Sequence, residues 1–136
     1  TSMLMNLGGC LTQEKRYDEA LKLYYKVNYL KPNHINSLRA IAWTEFLAGD
    51  YDKSIAASLR VLEKSRELID LVNAGHSHLA SGNFGKAYEL YSEGAKCEGG
   101  VKAFNEMMEN DRPDLLKAGC RPIDIDIIVD RINSNH

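Results

Sequence analysis

The 136-residue sequence predicts an all-α fold in which antiparallel helix pairs stack on one another. The first observation is a short segment that recurs three times, with its aromatic residues Tyr17, Tyr51 and Phe84 spaced 34 and then 33 residues apart. The second observation is that apolar residues on both sides of each segment have the three- and four-residue spacing of amphipathic helices. A repeat of this length with two helices predicts an α-solenoid, since one pair cannot bury its own apolar side.

A first helix, with one apolar stripe, precedes each recurring segment. The three stripes are Leu4, Leu7, Gly8 and Leu11; Leu38, Ile41, Ala42 and Phe46; and Leu71, Ala74, Gly75 and Leu79. A second helix follows each segment, with stripes at Leu21, Tyr24, Val27 and Leu30; Ile55, Ser58, Val61 and Leu62; and Tyr88, Tyr91, Gly94 and Ala95. Glycines predict a tight turn between the two helices in two of the units, at Gly49 and Gly82.

Small residues recur at the positions where the two helices of a pair should touch. They are Gly8, Gly75 and the residues three positions after each aromatic, Ala20, Ser54 and Ala87. We expect these residues to let the helices approach closely, while tyrosine and phenylalanine fill the space between neighbouring units.

The first unit resembles the tetratricopeptide repeat. The family's Trp, Leu, Gly, Tyr, Ala, Phe, Ala, Pro pattern falls on Leu4, Leu7, Gly8, Leu11, Ala20, Tyr24, Val27 and Pro32. The second unit keeps Gly49, Tyr51 and Ile55, and the third keeps Gly75, Gly82, Phe84, Ala87 and Tyr91, but both lack the proline. The resemblance covers residues 1–98 and implies a right-handed superhelix of three helix pairs, at about 1–34, 35–67 and 68–98.

Beyond the third unit, residues 99–136 are predicted to form a capping helix and a short helical tail. The capping stripe is Val101, Phe104, Met107 and Met108. A separate short helix is expected after Asp111 and Pro113, with its end at a glycine, Gly119.

The segment from Pro122 to Ile132 fits two patterns, because its isoleucines both alternate as in a strand and recur at helical spacing. We favour a helix, with Asp124 as its N-cap and Ile123 packed against Ile128. A lone strand would have no sheet to join.

Composition limits the classes of partner that can be expected. The net charge of −2 and the pI of about 6.1 give no electrostatic reason to expect nucleic acid. No apolar run approaches the roughly 20 residues needed to span a bilayer, so no membrane insertion is expected. Three cysteines without a C-x-x-C pair favour buried, reduced thiols and a cytoplasmic location.

The sequence predicts no enzyme, no cofactor and no metal. His76 and His78 are two positions apart, so on a helix they point in different directions. Asp124 and Asp126 supply too few oxygen ligands for a calcium loop. The cysteines have no activating histidine beside them.

The resemblance implies a protein or peptide partner held in a concave groove lined by the first helices. The implied groove residues are Met5, Arg39, Trp43, Phe46, Val72, Asn73, His76 and Leu79. Met5 and Gly9 stand where the family's carboxylate clamp has its first lysine and asparagine, so a groove with an aromatic centre is expected instead.

Other interpretations stay open. Trp43, Phe46 and Leu79 could pack against neighbouring helices or lie under the C-terminal segment. The chain could also be a structural unit of a longer scaffold that self-associates as a homodimer, or a small chaperone of secreted proteins.

Overall fold

The computed structural model describes residues 1–135 and confirms the all-α fold class, with no strand in that range. Its helices are α1 (Ser2–Gln13), α2 (Tyr17–Leu30), α3 (Ile35–Ala48), α4 (Tyr51–Leu62), α5 (Leu68–Ala80), α6 (Phe84–Ala95), α7 (Gly100–Lys117) and α8 (Pro122–Ser134). The chain divides into two compact units: the first is Thr1–Lys64, and the second begins at Ser65.

In the first unit, α1 packs on α2, α2 on α3, and α3 on α4. A core cluster joins the last three of these helices, with Ala20 and Tyr24 from α2, Ile41 and Ala42 from α3, and Ala57 from α4. The apolar stripes of consecutive helices therefore meet in one core, as a stack of helix pairs requires.

Two glycines set the distance between paired helices, as the sequence predicts. A Cβ atom added to Gly8 would lie 2.5 Å from Cε1 of Tyr24, and one added to Gly75 would lie 2.5 Å from Cε1 of Tyr91. No side chain fits at such a distance. Each tyrosine ring therefore occupies the place of a missing side chain on the partner helix.

The turn inside each pair contains one residue with left-handed backbone geometry. This residue is Lys15 in the first pair (φ 63°), Gly49 in the second (φ 87°) and Gly82 in the third (φ 91°). The next N–H donates to a carbonyl five residues back in every case: Arg16 to Leu11 (2.8 Å), Asp50 to Glu45 (2.9 Å) and Asn83 to His78 (2.9 Å). The predicted turns at the two glycines are confirmed, and a lysine fills the same position in the first pair.

In the second unit, α7 packs against both α5 and α6, and α8 packs against α6 and α7. Phe104, Met108 and Leu115 of α7 are buried. The apolar face of α8 is buried too, at Ile125, Ile128 and Ile132. The pair α5–α6 is thus covered by the chain that follows it.

Helix α7 differs from the prediction of two short helices, because it runs without a break through Pro113. Proline cannot donate to the carbonyl four residues earlier, which usually ends or kinks a helix. Here buried Met108 and Leu115 hold the helix on either side of the proline. The predicted end is confirmed: Gly119 has φ 94°, and Cys120 N–H donates to the Leu115 carbonyl at 3.0 Å.

The C-terminal segment is a helix, as favoured, but its start differs from the prediction. Arg121 is the N-cap and Pro122 is the first helical residue, where its fixed φ and missing N–H cost nothing. Asp124 instead accepts two hydrogen bonds from the Arg121 guanidinium, both at 3.0 Å. Ile123 is exposed, whereas Ile128 is buried.

Candidate peptide-binding surface

In the first unit, the centre of the predicted groove is Trp43 on α3. Its indole stacks on the ring of Phe46, with centroids 5.3 Å apart and an angle of 21° between the planes. Phe46 is buried and also contacts Tyr51, at a centroid distance of 5.8 Å. Trp43 itself is partly exposed, so a fixed aromatic ring presents part of its surface.

Two further predicted residues of this unit are partly exposed, Arg39 and Met5. Arg39 precedes Trp43 by one helical turn and therefore lies on the same side of α3. Met5 of α1 packs against the core cluster that contains Ile41 and Ala42 of α3. These two side chains and Trp43 form the set that we call the Trp43 surface.

In the second unit, the structure places His76 in the core. The ring is fully buried, with Nδ1 2.6 Å from Tyr91 Oη and Nε2 2.9 Å from Asp111 Oδ2. A carboxylate only accepts hydrogen bonds, so Nε2 donates to Asp111, while Nδ1 and the Tyr91 hydroxyl form a second hydrogen bond. Burial of Tyr91 raises its pKa well above the usual value, which keeps that hydroxyl protonated. His76 is thus held inside the unit and is unavailable to a ligand.

Other predicted groove residues are also buried. Val72 and Leu79 lie in the core of the second unit, and Phe46 in that of the first. Asn73 is partly exposed. Helix α5 is covered by α7 as well as by α6, so more than one stripe of this helix is buried. The surface that a partner could touch directly therefore excludes Phe46, Val72, His76 and Leu79.

The sequence interpretation missed a cleft in the first unit. It has a volume of about 730 Å³ and is lined by Asp18, Leu21, Lys22, Tyr25, Glu45, Ala48, Asp50 and Lys53. Glu45 is only 4% exposed and accepts a hydrogen bond of 2.6 Å from the Tyr25 hydroxyl. Burial, together with this carboxylate, raises the pKa of Tyr25.

A signal for this contact exists in the sequence. Glu45 follows Ile41 by four residues and Ala42 by three, so a carboxylate occupies the apolar stripe of α3. Such a position calls for a hydrogen-bond donor nearby. Tyr25 supplies this donor, and the hydrogen bond links α2 to α3 within the first unit.

Across residues 1–135, no group of three or more histidine, cysteine, aspartate or glutamate side chains is arranged to hold a metal ion. The helices in the described part of the chain are all too short or too polar to cross a membrane.

Paired antiparallel helices have a left-handed turn in each pair, and a glycine faces a tyrosine in the first and third pairs. These features define a helical repeat protein. The family model described as Tetratricopeptide repeat matches residues 1–67, the part of the chain that contains α1 to α4. This match and the helix pairs support a tetratricopeptide repeat protein. The similarity supports a protein–protein interaction module in general, and repeats of this family are typically non-catalytic. No curated protein matches the chain.

Proposed function

We propose that this chain binds a peptide segment of a protein partner on the Trp43 surface of its first unit. The observation that carries the proposal is the partly exposed indole held by its stack on buried Phe46. Tryptophan and arginine are the residues that most often dominate binding energy at protein interfaces. A ring fixed before binding also loses little freedom on binding, which favours affinity.

The ligand class follows from the chemistry of this surface. Met5 and Trp43 offer apolar and aromatic contacts, so we expect a peptide with apolar side chains. A bound peptide loses conformational entropy, and we expect an affinity in the micromolar range, about −8 kcal/mol.

The binding test uses the only tryptophan in the sequence as its reporter. A displayed library of random peptides is selected against the whole chain, and a selected peptide is then titrated while tryptophan emission is recorded. We expect a saturable change in emission, because a peptide that covers the indole excludes water from it. A selected peptide that binds without changing the emission would contradict the proposed location.

The decisive variants are Trp43→Ala and Phe46→Ala, since one ring is partly exposed and the other is buried. Trp43→Ala should weaken peptide binding at least tenfold, equivalent to about 1.4 kcal/mol, with little change in melting temperature. Phe46→Ala should instead cost roughly 3–5 kcal/mol of folding stability, and it also removes the ring on which the indole stacks. If Trp43→Ala is as destabilising as Phe46→Ala, the indole is a core residue and the proposal fails.

A further inference from the structure

A buried carboxylate lines the cleft of the first unit that contains Tyr25 and Glu45, which we call the Glu45 cleft. Glu45 is 4% exposed, and its Oε2 accepts the Tyr25 hydroxyl at 2.6 Å, whereas no group among residues 1–135 donates to its Oε1. In that range every fully enclosed side-chain oxygen has a partner, so Oε1 keeps contact with the solvent of the cleft. Buried carboxylates are normally paired with a cation or well supplied with donors. Glu45 can therefore accept a second partner.

The other charges of the cleft do not compensate this carboxylate. Three carboxylates and two ammonium groups line the cleft. Lys53 Nζ lies 3.8 Å from Asp50 Oδ2, so these two charges balance each other. Asp18 and Lys22 are four residues apart on α2 and so lie on the same side of that helix with opposite charges. Glu45 remains as the net negative charge of the cleft.

The ring of Tyr25 adds an aromatic surface beside this carboxylate, since the residue is 42% exposed. Burial raises the pKa of Tyr25, and the carboxylates of Glu45 and Asp50 raise it further. The potential around the hydroxyl is accordingly negative. A cation at this place would meet both a carboxylate and the negative face of an aromatic ring.

The shape of the cleft favours a long basic side chain. Leu21 and Ala48 supply apolar surface, on which such side chains bury their aliphatic stems while the charged head contacts a polar group. The volume of about 730 Å³ leaves room for the whole side chain. A guanidinium is planar, stacks on aromatic rings and is more weakly hydrated than an ammonium. Arginine therefore fits the Glu45 cleft better than lysine does.

We propose that the Glu45 cleft binds an arginine side chain of a protein partner, with the guanidinium at Oε1 of Glu45 and against the ring of Tyr25. Glu45 follows Trp43 by two residues on α3, so the two side chains point in different directions. The cleft is a second site, separate from the Trp43 surface, and does not depend on the peptide binding proposed there. One side chain makes few contacts, so arginine alone should dissociate in the millimolar range.

The first test is a titration of the isotope-labelled whole chain with N-acetyl-arginine amide, followed by NMR. We expect saturable shifts of the backbone amides around Tyr25 and Glu45. The corresponding citrulline amide has nearly the same shape without the charge and should give no saturable shift there. The corresponding lysine amide should bind several times more weakly. The proposal is overturned if arginine does not saturate in the millimolar range, or if citrulline or lysine binds as tightly as arginine.

The second test uses variants of the cleft in the same titration. Glu45→Gln removes the charge but keeps an oxygen that can accept the Tyr25 hydroxyl, and it should weaken arginine binding about tenfold or more. Glu63→Gln is the matched control, because Glu63 is an exposed glutamate of the same unit that does not line the cleft. It should bind arginine as the native chain does. Equal losses in both variants would assign the effect to net charge and overturn the proposal.

Ala48→Lys provides a variant whose folding is not in question, since Ala48 is exposed and is the last residue of α3. A lysine there places a cation at the cleft and also suits the end of a helix. It should weaken arginine binding several-fold, with an unchanged helical circular dichroism spectrum. Native affinity in both Glu45→Gln and Ala48→Lys would place the binding of arginine elsewhere.

Discussion

Lys15 has left-handed backbone geometry at the one turn within a pair where glycine is missing. Its φ is 63°, and the same turn in the other two pairs uses Gly49 and Gly82. A side chain with a Cβ atom is strained in this conformation by about 1–2 kcal/mol. The hydrogen bond from Arg16 N–H to the Leu11 carbonyl nevertheless forms at 2.8 Å, so the rest of the turn holds the lysine in place.

We therefore predict that Lys15→Gly stabilises the protein. Glycine relieves the strain but adds freedom to the unfolded chain, so the net gain should be about 0.5–1 kcal/mol. Urea denaturation followed by circular dichroism measures the free energy of unfolding. Lys15→Ala is the control, since it removes the lysine charge but keeps the strain, and it should leave stability nearly unchanged. An equal gain in both variants would assign the effect to the charge.

A second prediction at the residue scale concerns Gly75, which faces the Tyr91 ring. The tyrosine is held in place, because its hydroxyl forms a hydrogen bond with His76 and its ring packs edge-on with that of Phe104, at a centroid distance of 5.9 Å. Gly75→Ala should therefore destabilise the protein by about 1–3 kcal/mol, because the added methyl group overpacks this contact. This cost exceeds the stability gained from the higher helix propensity of alanine.

Gly9→Ala is the matched control for Gly75→Ala. It is also a glycine within a first helix, but a Cβ atom there would meet nothing within 4 Å. This substitution should stabilise the helix by up to about 1 kcal/mol. Melting temperatures that move in opposite directions would confirm the role of close approach, and two increases would refute it.

Among the elements, α7 depends on its contacts with the preceding pair. Phe104 is fully buried, and Asp111 binds the His76 ring from α7. Phe104→Ala should cost roughly 3–5 kcal/mol. Leu116→Ala on the same helix should change stability by less than about 0.5 kcal/mol, because Leu116 is exposed. Similar effects of the two variants would mean that α7 does not depend on this contact.

Truncation after Glu98 tests the same contact for the whole C-terminal segment. The shortened chain lacks α7 and α8, so Tyr91 loses Phe104 and His76 loses Asp111. We expect aggregation or a large loss of thermal stability, because exposed apolar ends of repeats need a cap. A truncated chain that remains monomeric with the same melting temperature would show an independent appendage.

Periodicity predicted the helices well, because apolar spacing depends on local geometry alone. The proline and capping signals failed at Pro113, where tertiary packing of Met108 and Leu115 outweighs the hydrogen bond that proline cannot make. The predicted N-cap at Asp124 was also wrong, because Pro122 already supplies a favourable helix start and Asp124 pairs with Arg121.

Side-chain accessibility was harder to predict than helix position, and α5 shows why. A repeat pattern assigns each residue to a helix face, but not the number of helices that will cover that face. Because α7 packs on α5 in addition to α6, His76 is enclosed. Trp43 was predicted at the centre of the groove and is partly exposed. Tyr25 and Glu45 were missed, since the place of Glu45 in an apolar stripe calls for a donor but a hydrogen bond between distant residues has no sequence period that identifies it.

For the whole molecule, burial is distributed unevenly along the chain. Helix α1 buries only Gly8, whereas α5 buries eight of its residues. In repeat proteins each element is stabilised by its immediate neighbours, so local stability follows this distribution. The prediction is a gradient in which α1 opens most readily and α5 least.

Amide hydrogen exchange measured by mass spectrometry checks this gradient. Peptides from α1 should exchange fastest among the described helices, and peptides from α5 should exchange slowest. Equal protection in both helices would mean that the chain opens only as a whole.

Gly8 faces Tyr24, and Gly75 faces Tyr91. These contacts have a consequence for how the sequences of such repeats diverge. In the second pair the equivalent residues are Ala42 and Ser58, both buried, so the first is larger than glycine and the second smaller than tyrosine. Either change alone would leave a clash or a cavity. The two positions should therefore covary among related repeats. A conservative substitution at one of them can unfold a helix pair when the compensating residue, sixteen positions away, is unchanged.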